Sequence, residues 1–249
     1  MHDICLIAVV WAYSVIGGYG QVMRMNTEYT WVPGYGPTLL GYQSLMSQLR
    51  SRVQSETFAL YLRRNPRTGQ TVGELLLGGG DPSLYVGPLR YAQLRDPQEF
   101  AVTLDTLQVG SGIMTIGING AASVDTGSQA LFVPPLYMDG LKKEILAQAS
   151  AAARTSIRCR DIPGRDACLF DCAYRRLFPV LTLGLNRNGD IPLLINNMLY
   201  THEIAGVCSL MVAPTPGDTW LLPDFVVVDN YFEFQPSQGR IGIAKIRPH

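Results

Sequence analysis

Ala121-Ala-Ser-Val-Asp-Thr-Gly-Ser-Gln-Ala-Leu-Phe-Val-Pro-Pro135 places one carboxylate between two short apolar runs. The runs predict two buried strands, and a carboxylate between buried strands costs free energy unless hydrogen bonds hold its charge. Gly127 allows the backbone to turn back tightly toward Asp125, and the hydroxyls of Thr126 and Ser128 can donate to its carboxylate or to the neighbouring backbone. Because Asp-Thr-Gly is also common turn chemistry, these residues alone leave an ordinary β-turn and a functional carboxylate equally open.

Short strand patterns, separated by turns rich in Gly, Pro and Asn, lie on both sides of this stretch. The strand-forming runs cover residues 58–62, 71–77, 100–109, 177–185, 190–195, 207–212 and 225–234. Asn188-Gly189 lies between two of these runs and predicts a hairpin with a tight turn. The sequence therefore predicts a mostly β fold with a sandwich-like or barrel-like lobe.

Two segments carry the helical period instead. Ser44–Val53 repeats apolar residues at Leu45, Met46, Leu49 and Val53. The second helix is expected to start with Asp139 as its N-cap, because a carboxylate there can accept a backbone N–H of the first turn. It is expected to run through Ala153 with three apolar side chains on its inner face, those of Leu141, Ile145 and Leu146.

Composition excludes several classes of partner and cofactor. Of the 249 residues, 47% are hydrophobic, 20 are basic and 20 are acidic, so the chain can bury a core and has no net charge. Without a basic footprint we expect no nucleic-acid partner. Gly78-Gly-Gly80 opens no helix pattern and Gly110-Ser-Gly112 lacks the third glycine of a dinucleotide fingerprint, so the sequence predicts no cofactor.

Ile4–Gly20 carries no charged residue and supports two interpretations. One is the apolar part of a secretory signal, and the other is a pair of strands rich in Ile, Val, Trp and Tyr. Met1-His-Asp3 brings no Lys or Arg, and the run is slightly shorter than the roughly 20 residues of a membrane span. We favour the pair of strands and expect no membrane segment.

Four motifs, taken in order, resemble the pepsin-like aspartic proteases. Gly73-Glu-Leu-Leu-Leu-Gly-Gly-Gly-Asp81 looks like the Gly-Glu-Leu-x-x-Gly-Gly segment that opens the second lobe of that family. The Asp125 stretch resembles its active-site strand, and Trp220-Leu-Leu-Pro-Asp224 is similar to its Trp-Ile-Leu-Gly-Asp loop. Phe232–Ala244 looks like its closing hairpin, so the resemblance covers residues 56–246.

The resemblance implies a pepsin-like acid-protease fold made of β lobes. It places one complete C-terminal lobe at residues 56–249 and the latter part of an N-terminal lobe at residues 1–55. Within the latter, Trp31-Val-Pro-Gly-Tyr-Gly36 resembles the segment that closes the first lobe. We therefore expect an incomplete first lobe that lacks its opening segment.

By the same resemblance, Asp125 is the second-lobe member of a catalytic pair of carboxylates. Thr126 would take part in hydrogen bonds between the two lobes. The N–H of Gly127 would face the Asp125 carboxylate, and the hydroxyl of Ser128 would bond to the outer oxygen of that carboxylate. Such a pair shares one proton, so that one member activates water and the other protonates the peptide carbonyl. Asp-Thr-Gly occurs once in the sequence and Asp-Ser-Gly not at all.

Three functional interpretations follow. The first is an aspartic endopeptidase acting on polypeptide, represented by a chain that we expect to be monomeric and inactive alone. The second is a non-catalytic homologue that binds peptides or proteins. It draws support from Pro223, which stands where the family has glycine and is expected to disturb the backbone around Asp125. The third and least favoured pairs two chains, each supplying its Asp125.

Five cysteines allow two disulfides and one leftover thiol. The resemblance places Cys172 and Cys208 where pepsin-like second lobes carry a disulfide, whereas Cys159 and Cys168 could pair across the loop between them. Cys5 is left over. Pairing implies an oxidising compartment, hence the secretory pathway, an extracellular or lysosomal/vacuolar location, and free buried thiols are the alternative. We expect no metal site, because no Cys-x-x-Cys is present.

Overall fold

A computed structural model gives the structure of the protein. It describes residues 9–11, 23–28, 49, 51–65, 67, 70–96, 100–112, 114–162, 165–204 and 206–248. Within these ranges residues 1–97 and 227–249 contribute to one compact unit and residues 98–226 to a second. The lobe boundary at residues 55/56 stays a prediction.

The described residues form mostly strands. They are β1 Val9–Trp11, β2 Met23–Glu28, β3 Phe58–Arg64, β4 Thr71–Leu77, β5 Tyr85–Asp96, β6 Ala101–Val109, β7 Thr115–Val124, β8 Leu131–Val133, β9 Arg160–Ile162, β10 Arg165–Asp171, β11 Leu181–Leu185, β12 Ile191–Ile195, β13 Thr201–Ile204, β14 Val207–Leu210, β15 Val212–Pro214, β16 Trp220–Leu222, β17 Asn230–Gln235 and β18 Arg240–Ile246. The helices are α1 Pro135–Ala153, α2 Asn197–Tyr200 and α3 Asp224–Val227. The mostly β fold predicted from the sequence is confirmed.

The first unit is an antiparallel sheet in the order β1-β2-β4-β3-β17-β18-β5. Ala59, Tyr61, Leu76 and Tyr231 form a buried cluster on this sheet. The closing hairpin β17–β18 adds Phe234, whose ring stacks on that of Phe58 with centroids 4.6 Å apart. Aromatic side chains of this kind are favoured on the pleated surface of a sheet.

The second unit contains two sheets. The larger has the order β12-β11-β6-β7-β16-β8-β15 and packs its core side chains with those of α1. Leu104, Leu131, Leu181, Leu183 and Ile145 are completely buried there. The smaller sheet is antiparallel, in the order β13-β14-β10-β9.

Two disulfides tie the smaller sheet together. Cys159 is bonded to Cys168, and Cys172 to Cys208. Both pairings suggested by the sequence are therefore present, and the free-thiol alternative does not describe these four residues. Cys5 lies outside the described residues.

The long helix begins earlier than the sequence suggested. α1 starts at Pro135, with Pro134 as the residue before it and no side-chain cap, so Asp139 lies inside the helix. Proline is favoured in the first turn because its missing N–H would have no partner there, and this preference outweighs the capping signal. The predicted end at Ala153 and the burial of Leu141 and Ile145 are confirmed, whereas Leu146 is only partly buried.

Three further predictions concern a hairpin, a strand near the C-terminus and the elements near the N-terminus. The hairpin β11–β12 is present, but Leu185 pairs with Ile191, so five residues form the loop instead of a two-residue turn. The predicted strand over residues 225–234 starts as the short helix α3 and becomes extended only at Asn230. The helix predicted at residues 44–53 and the strands predicted within Ile4–Gly20 lie mostly outside the described residues.

We predict that Gly184 tolerates no side chain. A Cβ at this position in β11 would overlap Thr106 and lie 2.8 Å from the Cα of Gly189. Gly184→Ala should lower the free energy of unfolding by about 1–3 kcal/mol through overpacking, measured by denaturant unfolding. Gly140→Ala is the control, because a Cβ there in helix α1 meets nothing within 4 Å. It should raise stability by up to about 1 kcal/mol, and equal losses in both variants would contradict this packing.

Tyr200 should make the protein sensitive to alkaline pH. Its side chain is fully buried and its hydroxyl donates to the carbonyl of Pro179, and burial raises the pKa of that hydroxyl above its ordinary value. Above about pH 10 the unfolded chain loses this proton while the folded chain keeps it, so stability falls by about 1.4 kcal/mol per pH unit. Tyr200→Phe should flatten this slope between pH 9 and pH 11, whereas an unchanged slope would contradict the assignment.

Candidate active site

Strand β16 lies between the two strands that flank Asp125. Leu222 pairs in parallel with Val124 of β7, and Leu221 pairs antiparallel with Phe132 of β8. The turn at residues 125–130 therefore connects two strands that both bond to the same neighbour. This arrangement fixes both ends of the turn within the sheet.

The backbone of Asp125 continues the pairing between β7 and β16. Its N–H donates to the carbonyl of Leu222 at 2.9 Å, and its own carbonyl accepts the N–H of Ser128 at 3.1 Å. The first bond extends the ladder by one residue past Val124. The second closes a tight turn, so the position of the Asp125 Cα is determined from both sides.

Both oxygens of the Asp125 carboxylate accept hydrogen bonds inside the turn. Oδ1 accepts the N–H of Gly127 at 3.0 Å, and Oδ2 accepts the hydroxyl of Ser128 at 2.6 Å. Residues 125–128 are all partly buried, so the turn orients the carboxylate without burying Asp125 completely. Bonds of this type to a charged acceptor are the stronger class of hydrogen bond. The Gly127 contact is also that of an ordinary turn, as at Asp81 and Asp171, and the Ser128 hydroxyl adds a contact to the second oxygen.

Pro223 does not disturb this arrangement. It is buried directly after Leu222, and its carbonyl accepts the N–H of Val226 at 3.0 Å to start helix α3. The atom that holds Asp125 is the carbonyl of the preceding residue, Leu222, so the N–H that proline lacks is not part of the contact. The distortion expected from the sequence is absent from the Asp125–Leu222 bond.

Trp220, the first residue of β16, packs in the core beside the Asp125 turn's flanking strand β7. Its side chain is fully buried, its backbone pairs with Ala122, and its ring contacts that of Tyr137 with centroids 5.5 Å apart. A Cβ at Gly120 would come within 3.3 Å of the indole, so the glycine leaves room for it. Trp220 is thus a packing residue that holds β16 against β7.

The predicted site residues Asp125, Gly127 and Ser128 come together in one turn. Thr126 lies partly buried in the same turn, and its proposed role between lobes stays a prediction. Sequence reasoning missed the carbonyl of Leu222, because a backbone acceptor leaves no mark in residue types. The apolar run of β16, three residues long, was the available signal.

Among the described residues, one group of side chains has the proximity expected of metal ligands: Cys172, Glu203 and Cys208. The two sulfurs are bonded to each other, so this group offers no thiolates as it stands. None of the helices in the described ranges is long and apolar enough to cross a membrane.

We predict that Pro223→Gly leaves the Asp125 turn intact while lowering overall stability. Glycine increases the freedom of the unfolded chain, which should cost about 0.4–1 kcal/mol. The Asp125 amide should keep its protection in hydrogen exchange, because its acceptor is the carbonyl of Leu222. Ser128→Ala is the comparison variant, since it removes a bond to the carboxylate itself. Rapid exchange of the Asp125 amide in Pro223→Gly would show that the proline does hold the turn.

Comparison with known proteins agrees with this geometry. A family model described as eukaryotic aspartyl protease matches residues 29–246. Cathepsin D of Clupea harengus is 28% identical over 207 residues, which are 82% of this chain and 49% of that protein. Cathepsin D of Homo sapiens is 28% identical over 210 residues, 82% of this chain and 47% of that protein. Pepsin B of Canis lupus familiaris is 28% identical over 213 residues, which are 84% of this chain and 50% of that protein.

The chain therefore spans about half the length of the curated relatives that it matches. The family match, in contrast, includes the Asp125 turn and all strands from β3 to β18. On this match the chain belongs to the eukaryotic aspartyl protease family.

Proposed function

We propose that this chain supplies one half of the catalytic centre of an aspartic endopeptidase. The observation that carries the proposal is the Asp125 carboxylate, whose two oxygens accept the Gly127 N–H and the Ser128 hydroxyl in a turn between paired strands. A carboxylate oriented in this way and only partly buried fits acid–base chemistry.

The reaction needs two carboxylates that share one proton, because two like charges at close range do not both ionise. The ionised member takes a proton from water as the water attacks the peptide carbonyl. The protonated member donates to the carbonyl oxygen, and a proton then reaches the leaving nitrogen. Gly127 and Ser128 keep Asp125 oriented through these steps, since each occupies one of its oxygens.

The second carboxylate is proposed to come from a polypeptide segment outside these 249 residues. Asp-Thr-Gly occurs once in the sequence, at Asp125. One carboxylate does not fill both roles, so this chain alone is expected to be inactive. The substrate would be an extended polypeptide, and the two disulfides support a location in the secretory pathway.

A non-catalytic peptide-binding homologue is the second candidate. The single Asp-Thr-Gly favours it, whereas Pro223 no longer does, because the bond between Asp125 and Leu222 is kept. In this case the lobe would hold peptides without hydrolysing them.

The two candidate functions are distinguished by purifying the native protein and measuring both its intact mass and its peptidase activity. Endopeptidase function predicts a species larger than 27.4 kDa that contains a second Asp-Thr-Gly or Asp-Ser-Gly segment. This species should cleave denatured globin at acid pH, and a statine-type peptide mimic of the tetrahedral intermediate should stop the cleavage.

Binding of the statine-type mimic without any turnover would support the peptide-binding homologue instead. Full turnover by the 249-residue chain alone, as a monomer, would contradict the division of the two carboxylates between segments. Turnover only by a dimer of this chain would favour pairing of two Asp125 residues. The 249-residue chain, purified in the same buffer, is the matched control.

A further inference from the structure

The register of the smaller sheet brings one carboxylate beside a disulfide. Glu203 of β13 lies directly opposite Cys208 of β14, and Phe170 of β10 lies opposite Cys208 on the other side. Cys172 follows two residues after Phe170. Because opposite residues in a sheet have their Cβ atoms about 4.5–5.5 Å apart, the register places Glu203 beside Cys208. Cys172 lies just past the end of β10, with its Cα 5.0 Å from that of Cys208. Their sulfur and carboxylate oxygen atoms lie within 4.8 Å of one another.

Contacts other than the bond between the two sulfurs also hold this assembly together. The 3₁₀ turn Cys172–Leu177 is capped by Asp171, which accepts the N–H of Ala173 at 2.9 Å. Arg175, from the same turn, donates to the Thr201 hydroxyl at 2.8 Å and to the carbonyls of Met198 in α2 and Thr201 at the start of β13. The strand pairs β10–β14 and β13–β14 fix the remaining positions.

The side chain of Asn197 also holds the Cys172 turn in place. The amide of Asn197 donates to the carbonyls of Arg176 and Phe178, at 2.9 and 3.1 Å. These contacts join the Cys172 turn to helix α2 without involving sulfur. The two cysteines should therefore stay neighbours after the disulfide is opened.

We propose that reduction of the Cys172–Cys208 disulfide creates a binding site for a zinc-class divalent cation, with Cys172, Cys208 and Glu203 as ligands. A dithiol transfers two electrons and two protons: the S–S bond breaks, the dithiol becomes a cyclic disulfide, and two thiols remain on the protein. The cation then displaces the two thiol protons and bonds to both thiolates and to the carboxylate. Water completes the coordination.

The chemistry of the three groups fits this class of ion. Two thiolates and one carboxylate are typical zinc donors, with Zn–S bonds of about 2.3 Å and Zn–O bonds of about 2.0–2.2 Å. Arg175 lies 3.7 Å from a Glu203 oxygen, so three negative charges and one positive charge surround the site. A divalent cation neutralises that sum.

The burial of the three residues leaves the site open to a reductant at Cys172 and to water at Glu203. Cys172 is only partly buried, whereas Cys208 is fully buried, so a reductant reaches the sulfur of Cys172. The Glu203 side chain is 50% exposed, which leaves room for water as a further ligand. The bound cation would replace the disulfide as the link between the Cys172 turn and β14.

The test uses the full chain, reduced with dithiothreitol and freed of reductant without oxygen, and Co²⁺ as the probe. The reduced chain should bind Co²⁺ with thiolate-to-cobalt absorption and the visible bands of a tetrahedral site, and the oxidised chain should not. Cys159→Ser with Cys168→Ser should leave these bands in place, whereas Cys172→Ser with Cys208→Ser should remove them. Far-UV circular dichroism of each sample reports the fold.

Glu203→Gln separates a built site from an incidental pair of thiols. It should weaken Co²⁺ binding at least about tenfold, because one of the three protein ligands is lost. Asp218→Asn is the matched control, since it removes an exposed carboxylate elsewhere in the same unit. Equal affinity of the Glu203→Gln variant and the reduced chain, absence of the cobalt bands, or unfolding of the chain on reduction would each overturn the proposal.

Discussion

The structure of the site depends on one strand that pairs with both sides of the same turn. β16 is bonded in parallel to β7 and antiparallel to β8, so both ends of the segment at residues 125–130 are anchored in the sheet. The bond from the Asp125 N–H to the Leu222 carbonyl then carries this constraint to the carboxylate. The hydrogen bonds from Gly127 and Ser128 orient a group whose backbone is already fixed.

Much of this could be predicted from residue types, and the remainder could not for physical reasons. Local polarity and glycine predict the Asp125 turn between two strands. The strands β3 and β4 are predicted because apolar runs bounded by turn residues are a local signal, and β6 because its residues alternate. The position of β16 between β7 and β8 was not predicted, because it arises from pairing across about 100 residues of chain. The start of α1 was misplaced, since a first-turn proline and a capping aspartate give competing local signals.

The two sheets of the second unit serve different purposes. The larger sheet holds the Asp125 carboxylate through a continuous ladder and a core of leucine and tryptophan side chains. The smaller sheet is held by two disulfides and by the polar contacts of Arg175 and Asn197. Covalent links therefore concentrate where the sheet is small, as expected where little apolar area is available for burial.

We propose that the Asp125 carboxylate takes part in peptide hydrolysis as one of two acids that share a proton. This proposal is tested by the turnover number of the native protein with Asp125→Asn, compared with Asp105→Asn, a carboxylate on the neighbouring strand β6. Loss of an acid–base group predicts a fall of about 10²–10⁴-fold or more for Asp125→Asn and near-normal turnover for Asp105→Asn. Undiminished turnover by a correctly folded Asp125→Asn enzyme would contradict the claim.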